Sequence, residues 1–186
     1  MEMTTNLQKY YYFAYGMNTD PRMMKHYEYC VPICAGTLPG FHLTFRQFAN
    51  VERGGSVIGA IWQIDQLTLK GLDMREGFPE MYGRQFCSIQ GEDGKTYRAY
   101  VYLMNSKYVR MAKGYPPSRN YIKMLATGYT EFGIPIDQIR KGLQDSEVSI
   151  DESINLDVFK RGFEESTPFG EYEFKPHPEG RIQSEG

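Results

Sequence analysis

Histidine, cysteine and tryptophan are scarce in this chain of 186 residues: three histidines, three cysteines and a single tryptophan. His26, His42 and His177 show none of the short spacings that build zinc sites, so no metal and no cofactor is expected. Cys30, Cys34 and Cys87 cannot all pair internally, which argues for a reducing compartment and for structural thiols. No stretch approaches the roughly 18 apolar residues that span a membrane, and Met1–Lys9 has no apolar run of the signal-peptide kind. The expected location is therefore cytoplasmic, with no membrane partner. Basic residues are dispersed, which argues against nucleic acid. Glu52-Arg53-Gly54-Gly55 lacks the Lys-Ser/Thr of a phosphate loop and reads as a turn. There are no repeats and no low-complexity tract, and nothing in the pattern sets an oligomeric state.

Tyrosine, by contrast, is abundant. Fifteen of them bring the aromatic share to 15%, beside 41% hydrophobic and 24% charged residues. That balance supports a packed core, and tyrosine adds rigid walls with polar tips. The net charge of −2 conceals an asymmetry: after Leu143 there are eleven acidic and four basic residues, whereas the rest carries a surplus of five positive charges. A mildly basic body suits a small anionic ligand. The expected organisation is one domain over residues 1–143, followed by an acidic extension over 144–186. In that extension Val158, Phe159, Phe163 and Phe169 are candidates for docking on the core.

Periodicity and punctuation predict an α+β chain. Tyr10–Tyr15 reads as a strand closed by Gly16. Asp20-Pro21 reads as an N-cap and first helical residue, with Met23, Met24 and Tyr27 as the helix's apolar face. Ile33–Leu38, Phe41–Phe48 and Val57–Ile64 read as further strands, with turn signals at Pro39-Gly40 and Gly54-Gly55. Asp65 caps a helix over Gln66–Met74, with Leu67, Leu69 and Leu72 facing the core. Arg84–Ile89 and Tyr97–Leu103 form a hairpin around Asp93-Gly94. Ser118 caps a helix to about Thr127, stopped at Gly128, and Pro135 starts another toward Leu143. Six closely spaced strands favour a small barrel-like mixed β-sheet with flanking helices.

Tyr12-Phe13-Ala14-Tyr15-Gly16-Met17-Asn18 resembles the opening motif of the γ-glutamylcyclotransferase-like (AIG2-like) family, an aromatic strand running into Tyr-Gly-Ser-Asn. Four more segments follow in the family's order. They are Val57–Trp62, Leu72-Asp73-Met74-Arg75-Glu76-Gly77 with Tyr82 beyond it, Tyr100–Met104, and Pro117–Tyr121 with Gly133-Ile134-Pro135. The resemblance covers about residues 10–143 and departs at one place, where Met17 stands for the family's Ser.

The resemblance implies that fold and one reaction. The α-amine of a γ-glutamyl amide attacks its own side-chain carbonyl, closing 5-oxoproline and releasing an amine, amino acid or peptide, as in glutathione metabolism. It implies Glu76 as the acid/base residue. It further implies substrate binding by Tyr15, Gly16, Met17 and Asn18, with Tyr82, Tyr102 and Tyr121 around the pocket. By spacing alone Glu76 would be a solvent-facing helix residue. Tyrosines are wall or packing as often as ligands, and Asn18 suits a turn. Met17 keeps open an acyltransferase or amidohydrolase on the same cradle. A non-catalytic binder of small anions is the third reading.

Overall fold

The structure, a computed structural model, describes residues 8–149 and 155–161. The elements run β1 (Lys9–Ala14), α1 (Pro21–Met24), β2 (Cys30–Arg46), β3 (Phe48–Asp65), α2 (Gln66–Arg75), β4 (Tyr82–Gly91), β5 (Thr96–Met104), α3 (Ser106–Met111), α4 (Arg119–Glu131) and α5 (Asp137–Asp145). Short 3-10 turns cover Met17–Thr19 and Leu156–Arg161. Five strands close into a barrel in the order β1-β3-β2-β4-β5, with β1 antiparallel to β3 and parallel to β5. The expected α+β class and barrel-like mixed sheet are therefore borne out. The closing contacts are short, β2 meeting β4 at Gly36 and Thr37 and β1 meeting β5 at Tyr11 and Tyr12.

The strand count differs from the expected six. Ile33–Leu38 and most of Phe41–Phe48 are parts of one strand, β2, which pairs along its length with β3. Pro39-Gly40 lies opposite the Gly54-Gly55 region and shifts the register, with Pro39 facing Ser56 and Phe41 facing Arg53. These signals thus make a bend within a long hairpin rather than a reversal. The chain reverses at Gln47, in the left-handed region with φ 66°, and Phe48 opens β3. The Gln47 N–H donates to the Tyr115 carbonyl at 2.9 Å, which ties the hairpin tip to the loop before α4.

Alternation along the strands builds two cores on opposite faces of the sheet. Phe13, Val57, Ile61, Ile89, Ala99 and Val101 pack with Ile122, Leu125 and Ile139 from α4 and α5. Tyr12, Ala14, Ala60, Trp62 and Ile64 pack with Leu69 and Leu72 of α2. Leu67, expected in that core, is 57% exposed, because it lies on the opposite side of α2 from Leu69 and Leu72.

Local caps follow the expected chemistry. The Asp20 side chain accepts the Arg22 N–H with Pro21 at the first helical position, Asp65 accepts from Thr68, and Ser118 from Tyr121. Gly128, however, does not stop α4. It sits inside the helix, where a Cβ would collide with the backbone of Thr19 and Asp20, so its role is close approach. The chain leaves the helix at Gly133, with φ +66°. Helix α3 was not expected.

α5 extends to Asp145, and Ser146 donates to the Gly142 carbonyl at 2.6 Å while accepting the Phe45 N–H at 2.7 Å. Leu156 is buried in the first core, whereas Val158 is exposed. The side chain of Phe159, and Phe163 and Phe169 altogether, lie outside the described residues. Among the described residues, no helix is long and apolar enough to cross a membrane.

Candidate active site

Two chain reversals meet beside the second core. The first follows β1. After Ala14 the chain passes through Tyr15 and Gly16 into the turn Met17–Thr19, closed by Thr19 N–H to the Gly16 carbonyl at 3.0 Å. The first N–H groups of such a turn have no partner within it. Gly16 is required by closeness, since a Cβ there would lie 3.1 Å from both the Ala49 Cβ and the Tyr121 hydroxyl. Tyr129 donates to the Tyr15 carbonyl at 2.9 Å and Tyr15 donates to the Tyr102 carbonyl at 2.6 Å, fixing the strand end.

The second reversal ends α2. Glu76 caps the helix, and Gly77 takes the left-handed conformation at φ +62°. The Phe78 N–H reaches the Asp73 carbonyl at 2.9 Å and the Gly77 N–H reaches the Met74 carbonyl at 3.3 Å. This is the Schellman pattern of helix ends. It turns the Glu76 carboxylate toward the first reversal, where Asn18 Nδ2 donates to Glu76 Oε1 at 3.0 Å and to the Tyr12 hydroxyl at 3.0 Å.

Rings enclose that carboxylate. Tyr12, Tyr15, Tyr82, Tyr102 and Tyr121 all feel its charge. Glu76 as a residue keeps partial solvent access, while desolvation of its carboxyl raises the pKa to about 7. The Arg75 guanidinium and the Asn18 hydrogen bond pull the other way and do not win. The tyrosines stay un-ionised: burial pushes their hydroxyls above the usual range, and the Glu76 charge adds to this.

The expected site residues therefore come together, with refinements. The Tyr82 hydroxyl donates to the Ala49 carbonyl at 2.9 Å, and Tyr102 donates to Asp73 Oδ1 at 2.6 Å. Their protons are already engaged, which makes them walls first. Tyr121 accepts the Ala49 N–H at 2.9 Å and lies against the Met17 N–H, so its own proton is free to donate. Met17 is half-buried and packs on the first core. The Asn18 side chain does not shape the turn; it bridges Glu76 and Tyr12.

Sequence reading missed Tyr12, Ala49, Asp73 and Arg75. Tyr12 was accessible from strand alternation, which places it on the face of Ala14. Asp73, paired with Arg84 at 2.6 Å, lies three residues before Glu76 and so shares its side of α2. Cys30, Cys34 and Cys87 are free thiols, and burial pushes that of Cys30 up to about 12. Among the described residues, no three His, Cys, Asp or Glu side chains cluster as metal ligands do.

The fold is a closed α+β barrel in which one raised-pKa carboxylate lies beside a glycine turn and is ringed by tyrosines. The chain belongs to the γ-glutamyl cyclotransferase, AIG2-like family, whose model matches residues 12–123. It is 25% identical to human gamma-glutamylcyclotransferase over 175 residues, 83% of this chain and 90% of the relative. It is 27% identical to the mouse gamma-glutamylcyclotransferase over 144 residues, 69% of this chain and 74% of the relative. A solved gamma-glutamyl cyclotransferase structure superposes with a TM-score of 0.60 at 23% identity, covering 83% of this chain and all of the other; that likeness concerns the fold.

Proposed function

We propose that this protein converts a γ-glutamyl amide to 5-oxoproline and releases the amine, with Glu76 as the base that becomes the acid. The observation that carries the reading is the Glu76 carboxylate, hydrogen-bonded by Asn18 and enclosed by tyrosines. A group with a pKa near 7 is a competent base at neutral pH and, once protonated, a competent acid. The substrate's ammonium gives its proton to Glu76, and the amine lone pair then forms the new C–N bond to the γ-carbonyl carbon. The tetrahedral oxyanion is met by the Asn18 backbone N–H on the turn, the Met17 N–H being directed to the Tyr121 hydroxyl; losing one such donor typically costs about 3–4 kcal/mol. Glu76 returns its proton to the leaving nitrogen as the old C–N bond breaks. It then takes the second proton from the new ring nitrogen, leaving the neutral lactam N–H, and passes it to the released amine, which departs as an ammonium. Nucleophile and electrophile belong to one molecule, so holding them together can supply roughly 7–11 kcal/mol of barrier reduction. Gly16 lets the turn pack closely on Ala49 and Tyr121, and Tyr121 has a proton to offer the substrate.

The test is to incubate the purified chain with a panel of γ-glutamyl amino acids, peptides and amines and to follow 5-oxoproline by mass spectrometry. Product from at least one member, abolished in Glu76→Gln, supports the reaction. A panel without product from a folded chain refutes it and leaves a binding cradle.

A further inference from the structure

Around the end of α2, two acids have their own cations, and one cation has no acid. Arg84 holds Asp73 at 2.6 Å, and Arg22 holds Asp20 at 2.6 Å. Arg75, next to Glu76, forms no ion pair within 4.0 Å among the described residues. Its Nη1 makes a long 3.5 Å contact to the Met23 carbonyl, and its guanidinium lies against the Tyr27 hydroxyl. Its Nη2 is fully enclosed and has no acceptor. An enclosed cationic N–H group without an acceptor is costly. The uncommitted carboxylate within its field is Glu76, which already spends one oxygen on Asn18.

We propose that Arg75 is a positioning residue for the candidate base: its guanidinium favours the carboxylate form of Glu76 and so helps to set the pH at which the site works. This rests on the reading of Glu76 as the base. The other groups facing Glu76 are uncharged near neutrality: Tyr12 on β1, Tyr15 after it, Tyr27 after α1, Tyr82 on β4, Tyr102 on β5 and Tyr121 on α4. The Asp73–Arg84 pair nearby neutralises itself. Among the described residues, the charge acting on Glu76 is thus that of Arg75. A purely structural arginine at this place would hold α1 against α2 and interact with the helix dipole. That role predicts a loss of stability and an unmoved titration.

The test is a titration of Glu76 in the full chain by 13C NMR of its side-chain carboxyl, with Glu76→Gln assigning the resonance. The pH profile of kcat/KM is measured beside it. Arg75→Gln is expected to move the midpoint from about 7 upward by roughly one pH unit, and the acid limb of the profile with it. Arg75→Lys, which keeps the charge, restores most of the shift. Arg75→Met keeps the aliphatic stem and serves as a second neutral variant if Arg75→Gln does not fold. A folded neutral variant with an unmoved midpoint overturns the inference. The titration needs no turnover. A moved midpoint in a chain that makes no 5-oxoproline upholds this inference and refutes the proposed reaction.

Discussion

Helix α2 carries a carboxylate at each end, and the two ends treat a negative charge in opposite ways. Asp65 is buried at the N-terminus, and its Oδ1 accepts the Thr68 N–H at 2.8 Å. There the exposed N–H groups and the positive end of the macrodipole favour the anion. Glu76 sits at the C-terminal end, where burial desolvates its carboxyl and raises the pKa to about 7, and where the dipole gives an anion no support. One carboxylate therefore builds the helix and the other is left poised. The difference is one of position, since neither residue type is unusual.

The largest effect expected from this contrast is on turnover. Glu76→Gln is nearly isosteric and retains an acceptor for the Asn18 amide, but it cannot take a proton. General acid–base groups contribute about 10²–10⁴-fold, and the upper end is expected because one residue both accepts and returns the proton. The wild-type rate should fall as pH drops through about 7, as the base becomes protonated. A Glu76→Gln chain producing 5-oxoproline at a near-normal rate would falsify the assignment.

The next effect is on stability. The folded-state pKa of Glu76 lies above its unfolded value near 4.5, so its favourable contribution is present below that pH and is lost as pH rises through about 7. Relative to wild type, Glu76→Gln should therefore gain stability between pH 5 and pH 8.5. The gain is at most on the order of 3 kcal/mol, less the longer-range attraction between Arg75 and the Glu76 charge that is lost with it. Urea unfolding at the two pH values measures it. Equal offsets at both would mean that the carboxylate is well solvated after all.

At the other end of the helix, Asp65→Ala should cost about 1–2 kcal/mol through the lost cap. Thermal unfolding measures the loss, and turnover per folded molecule should stay close to wild type. A thousandfold loss of turnover in a folded Asp65→Ala chain would erase the distinction between the two ends.

Both ends of α2 were legible because their determinants are local. A capping aspartate three residues before its N–H partner, and a glutamate followed by glycine, are patterns within one turn. Asp20-Pro21, Ser118 and Asp93-Gly94 were legible for the same reason. What was not legible depends on distant partners. Gly128 looks like a helix stop until Thr19 and Asp20 are packed against it. Pro39-Gly40 looks like a reversal until Gly54-Gly55 lies across from it in the register. Within the site, Glu76 and Gly16 came from the motif. The engagement of the Tyr82 and Tyr102 protons came only from the barrel, which brings Ala49 and Asp73 to them. Arg75 carries no sequence signal apart from its neighbour, because an arginine in a last helical turn is common for reasons of the dipole alone.

The smallest expected effect concerns Met17, on the turn that faces the poised end of α2. The family motif has serine at this place, and the chain keeps the backbone while changing the side chain. Met17 is half-buried against the first core, and its N–H meets the Tyr121 hydroxyl. If this turn contributes only backbone donors, Met17→Ser should alter kcat/KM by less than about tenfold, or roughly 1.4 kcal/mol. A small loss of stability should accompany it, since an apolar side chain leaves a packed surface. A hundredfold gain would mean that a hydroxyl belongs in the cradle and that the substrate tested is not the one this chain evolved to hold. Measuring both a γ-glutamyl amino acid and a γ-glutamylamine separates the cases: a general defect is corrected for both, whereas a changed preference is corrected for one.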